Sequence, residues 1–126
     1  MSAPVANPAI LLVDDDPEVL HLLRLIITSM ATGYTILTCL RGDIALEQAM
    51  QQPTPLVITD YNLPGMNGLQ LTAAVKARAP ATRVVLISAN LSPDLERRAR
   101  DRAVDYLVSK PFHVDPLIQI VRAALA

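Results

Sequence analysis

Five short apolar runs alternate with five amphipathic stretches from residue 9 to the end of the chain, and this alternation restricts the possible folds more than any other feature. Ala9–Val13 (AILLV) is continuously apolar, the pattern of a strand buried on both faces. From Pro17, a favourable first helical residue, to about Met30, the apolar positions Val19, Leu22, Leu23 and Ile26 recur at helical spacing. Gly33 breaks the chain, Tyr34–Leu40 reads as a second strand, and Asp43–Met50 as a short helix ended by QQPTP. Leu56–Thr59 (LVIT) is a third strand, followed by Asp60 and the turn-rich loop NLPGMNG. Leu69–Ala79 is a helix with Leu71, Ala74 and Val75 facing inward, closed by Pro80. Arg83–Ile87 forms a fourth strand, and a helix capped by Ser92 or Asp94 runs to about Arg102. Tyr106–Val108 is a fifth strand, and Val114–Leu125 a last helix.

Strict alternation of strand and helix implies a parallel sheet with helices on both faces. The 126 residues suffice for one domain with a real core, and 52% of them are apolar. Residues 1–8 (MSAPVANP), with Pro4 and Pro8, read as a short frayed tail, and 9–126 as the domain. A net charge of −1 gives no reason to expect nucleic-acid binding driven by charge. The lone Cys39 excludes an internal disulfide and fits a reducing compartment. No apolar run approaches the ~20 residues of a membrane span, and the N-terminus lacks the pattern of a signal peptide. These features together point to a cytosolic setting.

In open parallel sheets, ligands bind beyond the carboxyl ends of the strands. Strand one ends in Asp14, Asp15 and Asp16, strand three in Asp60, strand four in Ser88, and strand five in Ser109 and Lys110 before Pro111. Carboxylates that converge from different strands need a cation. Oxygen ligands without a nearby Cys or His point to Mg²⁺ or Mn²⁺, and Mg²⁺ held by few carboxylates suggests phosphoryl chemistry. An Asp carboxylate can itself be the nucleophile and form an aspartyl phosphate.

The motifs VDDD, TDYNLPGMNG, VVLISA and LVSKPF, in this order, resemble those of the receiver domains of bacterial two-component response regulators. The likeness runs from about Ile10 to the C-terminus. It implies a flavodoxin-like (βα)5 sandwich with a five-stranded parallel sheet of order 2-1-3-4-5, an order for which this family's chemotaxis member is a standard example. It implies that Asp60 is the phosphoacceptor, that Asp14 and Asp15 hold the metal with Asp60, and that the backbone carbonyl of Asn62 completes the metal shell. Ser88 resembles the hydroxyl residue that moves to the phosphoryl group, and Lys110 the lysine that pairs with it. Pro111 resembles the proline after that lysine, often joined by a cis bond, and Asn62 and Asn90 the positions that tune hydrolysis. The implied donor is the phosphohistidine of a sensor kinase or histidine phosphotransfer protein. The implied output is a partner or output domain that reads helix four, strand five and helix five. In this reading the protein catalyses transfer to itself and slow hydrolysis, and acts as a switch rather than a turnover enzyme.

Two departures stand out. The family's aromatic residue three before the lysine is Leu107 here, with Tyr106 one position earlier; a bulge in YLVSK would return Tyr106 to the switch position. The usual Gly-Ala pair before the fifth strand reads Arg102–Ala103, so the preceding helix must end differently. Other residues have plainer roles: Asp16 as a helix cap, Cys39 as core packing, and His21 and His113 as surface positions. The arginines at 97, 98, 100 and 102 form a solvated face paired with Glu96 and Asp101. The last helix carries Leu117, Ile118, Ile120, Val121 and Leu125, an arc wide enough to suggest a partner or homodimer surface. Two rivals remain. LLVDDDPEVL also fits the opening motif of haloacid-dehalogenase-type phosphatases, with Asp14 as nucleophile and Asp16 as acid. A constitutive interaction module would use the same shape without phosphorylation.

Overall fold

The computed structural model describes residues 7–126. The expected frayed tail therefore falls, over residues 1–6, outside the described residues. Its elements are β1 (Ala9–Val13), α1 (Pro17–Met30), β2 (Thr35–Cys39), α2 (Gly42–Gln51), β3 (Leu56–Asp60), α3 (Gly68–Arg78), β4 (Arg83–Ser88), α4 (Pro93–Asp101), β5 (Tyr106–Ser109) and α5 (Val114–Leu125). All strands are parallel, in the order β2-β1-β3-β4-β5. This is the flavodoxin-like topology that the resemblance implies.

Every residue of β1 and β3 is buried, as continuous apolar runs require in a sheet covered on both faces. Alternate residues feed two separate cores. Ile10, Leu12, Leu56, Ile58, Val85 and Ile87 pack with α1 and α5, through side chains such as Leu23, Ile27, Leu117 and Val121. Leu11, Val13, Val57 and Val84 pack with α2 and α3, through side chains such as Ala45, Ala49, Leu71 and Val75. A smaller cluster of Leu69, Leu86, Leu95 and Ala99 seats α4.

The helix ends follow local chemistry. The Asp16 carboxylate accepts from the Glu18 N–H at 2.9 Å and caps α1, with Pro17 as the first helical residue. Asn67 and Gln70 form a reciprocal capping box on α3. Ser92 rather than Asp94 caps α4, its hydroxyl accepting from the Leu95 N–H at 3.1 Å. At the other end of α4, the Val104 N–H donates to the Ala99 carbonyl and the Ala103 N–H to that of Arg100, both at 3.0 Å. These two bonds form a Schellman motif. Its left-handed residue is Ala103, with φ +61, whereas Arg102 has φ −98. The glycine-like position is thus Ala103, one residue later than the motif comparison placed it. A left-handed L-residue costs roughly 1–2 kcal/mol, partly offset by the lower chain entropy of unfolded alanine. Ala103→Gly is expected to stabilise the protein by about 0.5–1 kcal/mol, read as a higher denaturation midpoint at unchanged m-value.

Three expectations about helix faces need correction. In α1 the buried set is Leu20, Leu23, Ile26 and Ile27, while Leu22 is 45% exposed. In α3 Ala74 is only half-buried, and Leu69 and Thr72 are buried in addition to Leu71 and Val75. In α5 Leu117, Val121 and Ala124 are buried, while Ile118, Ile120 and Leu125 pack against the α1/α5 core and stay partly exposed. On α4, Arg97 and Arg98 pair with Asp94, not with Glu96 or Asp101. Cys39 is buried as expected, and His21 and His113 are exposed.

Asp105 ties three elements together just before β5. Its carboxylate accepts from Lys76 Nζ of α3 at 2.7 Å, from the Val84 N–H of β4 at 2.7 Å, and from Arg83 at 3.2 Å. Burial pushes its carboxyl up, but Lys76, the Val84 N–H and Arg83 outweigh burial and hold it below the ordinary value of 3.8. A carboxyl depressed in the fold contributes stability above its unfolded pKa and loses it as pH falls through the folded value. Asp105→Asn is expected to cost about 1–3 kcal/mol at neutral pH. The gap from the wild type should close in acid titrations below about pH 4.

Candidate functional site

The ends of β1, β3 and β5 bring residues from distant parts of the chain to one edge of the sheet. Asp14 continues the face set by Ile10 and Leu12, and its N–H extends the ladder to the Cys39 carbonyl at 3.1 Å. Asp60 continues the face set by Leu56 and Ile58. Asp14 and Asp60 are both buried, whereas Asp15 is exposed. Each of the three offers a carboxylate oxygen, and these oxygens lie within 4.8 Å of one another. Lys110 Nζ reaches in from the end of β5, 2.7 Å from Asp14 Oδ2 and 3.3 Å from Asp60 Oδ1. The second Asp14 oxygen accepts from the Asp16 N–H at 2.9 Å.

Burial raises the Asp60 carboxyl above its ordinary range, and the charge of Asp14 adds to this, against the opposing pull of Lys110. Burial works against the Lys110 ammonium, but Asp14 and Asp60 outweigh it and raise the lysine above 10.5, so it stays charged. One ammonium among three carboxylates leaves the centre short of positive charge. An all-oxygen donor set at this spacing, open on the Asp15 side, fits a hard divalent cation.

The other sequence-derived residues fall around this centre. Ser88 ends β4 on the α3/α4 face, 2% exposed, and its hydroxyl oxygen accepts from the Asn90 N–H at 3.2 Å. Its carbonyl accepts from the Lys110 N–H at 2.9 Å, which ties the two strand ends together. Asn90 and Asn62 are exposed in the loops after β4 and β3. The Lys110–Pro111 peptide bond is cis. Strand β5 pairs with β4 in unbroken register, Val85 with Tyr106, Leu86 with Leu107 and Ser88 with Ser109. The expected bulge is therefore absent. Tyr106 packs into the α1/α5 core, and Leu107 lies on the opposite face, beside Leu86 and α4. The aromatic ring cannot reach the Ser88 side of the sheet without a shift of register. Asp16, exposed, caps α1 through one carboxylate oxygen, the role expected of it, and lies outside the carboxylate cluster of Asp14, Asp15 and Asp60.

Three residues of this region are not singled out by sequence pattern. Tyr61 follows Asp60, and its ring joins the Leu69, Leu86, Leu95 and Ala99 cluster. Gly68 opens α3 directly against the Asp60 carbonyl. Asp105 braces the base of β5. Only Gly68, the glycine that ends a turn-rich loop, carries a sequence signal that could have marked it.

An open α/β sheet with an acidic, cation-hungry cluster at its topological switch point defines the class of protein. Residues 10–122 match the family described as response regulator receiver domain. The chain is 33% identical over 116 residues to the transcriptional regulatory protein KdpE of Mycobacterium tuberculosis, covering 92% of this chain and 50% of that protein. It is 34% identical over 116 residues to the transcriptional regulatory protein GlrR of Escherichia coli K12, covering 92% of this chain and 26% of that protein. The chain thus spans half or less of these two curated relatives. Among solved structures, the signal receiver domain of an HD domain-containing protein from Pseudomonas fluorescens Pf-5 superposes with a TM-score of 0.86 at 26% identity, covering 99% of this chain and 91% of that one. The chain belongs to the response regulator receiver domain family. Among the described residues, no helix is long and apolar enough to cross a membrane.

Proposed function

We propose that this receiver domain accepts a phosphoryl group on Asp60 from the phosphohistidine of a sensor kinase or histidine phosphotransfer protein. The observation that carries this reading is Lys110 Nζ bridging Asp14 and Asp60, with Asp15 alongside, although the chain scatters these residues over nearly its whole length. In the transfer, an Asp60 carboxylate oxygen attacks phosphorus, the P–N bond breaks, and the imidazole leaves with its electron pair. Asp14, Asp15, Asp60 and the Asn62 carbonyl would hold Mg²⁺ or Mn²⁺. Bound there, the ion would offset repulsion between the carboxylates and the phosphoryl oxygens.

Lys110 pairs with the new phosphoryl group, and the Ser88 hydroxyl turns from the Asn90 N–H to donate to it. The added charge of roughly −2 draws both inward. Leu107, on the same face of the sheet as Ser88, is the side chain placed to follow; Tyr106 is turned away. A surface hollow of about 290 Å³ lined by Leu91, Glu96, Ala99, Arg100, Val104, Asp105 and Leu107 gives this face room to repack. The α4, β5 and α5 surface is then what an output domain or separate partner reads, consistent with the transcriptional regulators among the relatives. Hydrolysis returns the domain to its resting state, at a rate set by Asn62 and Asn90, which are exposed in the loops after β3 and β4. The setting is the cytoplasm. Incubating the protein with phosphoramidate, with and without Mg²⁺, and weighing it tests this reading. One added phosphoryl mass that requires the cation is expected. No added mass under either condition would overturn the proposal.

A further inference from the structure

Helix α4 is held to the domain by little. Of its nine residues only Leu95 and Ala99 are buried. Unfilled space flanks it on both sides, the hollow of about 290 Å³ toward β5 and a second of about 310 Å³ toward α3, lined by Asn67, Leu69, Gln70, Arg98, Asp101 and Arg102. The side-chain hydrogen bonds and ion pairs of α4 stay within the helix and its cap. Among the described residues, its one charged link to another element is Arg98, whose guanidinium lies over the Tyr61 ring, 5.9 Å from the centroid.

Tyr61 is held firmly at its own end. Its N–H donates to the Ile87 carbonyl of β4 at 2.9 Å, and its carbonyl accepts from the Gly68 N–H at 2.8 Å. A side chain with a pinned backbone, next to Asp60 and stacked under a loosely held helix, transmits displacement in both directions. We propose that Tyr61 is a positioning residue, and that its stack with Arg98 links Asp60 to α4 in this chain, where β5 offers only Leu107. This rests on the reading of Asp60 as the phosphoacceptor. Arg98 has weak competing holds, the ring and Asp94 at 3.8 Å. A phosphoryl group one residue from the ring competes for the guanidinium and loosens the stack, which frees α4 to move into the space beside it.

Amide hydrogen exchange of residues 95–104, with and without beryllofluoride and Mg²⁺ as a mimic of the acyl phosphate, tests this. In the untreated protein, Tyr61→Leu and Arg98→Ala should each raise α4 exchange about two- to fivefold. The double variant should be no worse than either alone, and Tyr61→Phe, which keeps the ring, should match the wild type. Beryllofluoride should raise α4 exchange in the wild type and in Tyr61→Phe, and add little in the other variants. Unchanged amides in β1 and β3 establish that the fold is intact. Additive effects, or a full beryllofluoride response in Tyr61→Leu, would overturn the proposal. A wild type whose α4 exchange does not change although its mass in native spectrometry shows bound beryllofluoride would also overturn the proposal, whereas no bound beryllofluoride, with the untreated variants still differing from the wild type, would instead remove the phosphoacceptor reading.

Discussion

An Asp60→Asn variant is expected to take up no phosphoryl group from phosphoramidate or acetyl phosphate, with Mg²⁺ at any concentration. The amide oxygen carries no charge and is a far weaker nucleophile than a carboxylate, so the P–N or P–O bond of the donor is not broken at this position. The fold should survive, because Asn matches Asp in shape and Lys110 keeps its 2.7 Å contact with Asp14. Removing one of the crowded carboxylates also relieves repulsion that burial aggravates. The thermal midpoint measured without divalent cations should therefore not fall. Asp16→Ala provides the contrast. It should retain full uptake while losing about 1 kcal/mol of stability through the α1 cap. Uptake that depended on Asp16 would favour the phosphatase reading.

Gly68→Ala is expected to be among the most damaging single-methyl additions in the chain. A Cβ at Gly68 would stand 2.4 Å from the Asp60 carbonyl oxygen and 2.6 Å from Leu86 Cδ1, with the Tyr61 Cα at 3.1 Å. Leu86 can shift, but the backbone at Asp60 and Tyr61 cannot do so without disturbing β3 and its bonds to β4. Overpacking against backbone should cost roughly 3 kcal/mol, read from chemical denaturation. The surviving folded molecules would hold Asp60 displaced from Lys110. Displacement near 1 Å slows a positioned reaction by about a hundredfold, so phosphoryl uptake should slow far more than the folded fraction falls.

Much of this site is legible in the sequence for a physical reason. Continuous apolar runs such as AILLV and LVIT, too short for helices and bounded by polar or turn-forming residues, read as strands buried on both faces, and parallel strands place their carboxyl ends together. Asp14, Asp60, Ser88 and Lys110 are therefore placed once the strands are found. What is less legible depends on side-chain direction and close approach. Whether Tyr106 or Leu107 faces Ser88 is a matter of strand register, which a single extra residue could have changed, and the unbroken β4–β5 ladder decides it. Ala103 occupies a left-handed position that composition would assign to glycine, and the bonds that close α4 locate it. The helix faces are less legible where apolar residues such as Leu22 lie on solvent-facing turns, because spacing alone does not say which side of a mixed helix meets the sheet. The Tyr61–Arg98 stack joins residues whose partnership no local pattern announces.

Reducing the phosphorylated protein with borohydride turns an aspartyl phosphate into homoserine, and peptide sequencing by mass spectrometry then reports which aspartate carried the group. The account requires homoserine at position 60 alone. Homoserine at position 14, 15 or 16, with position 60 unchanged, would contradict it.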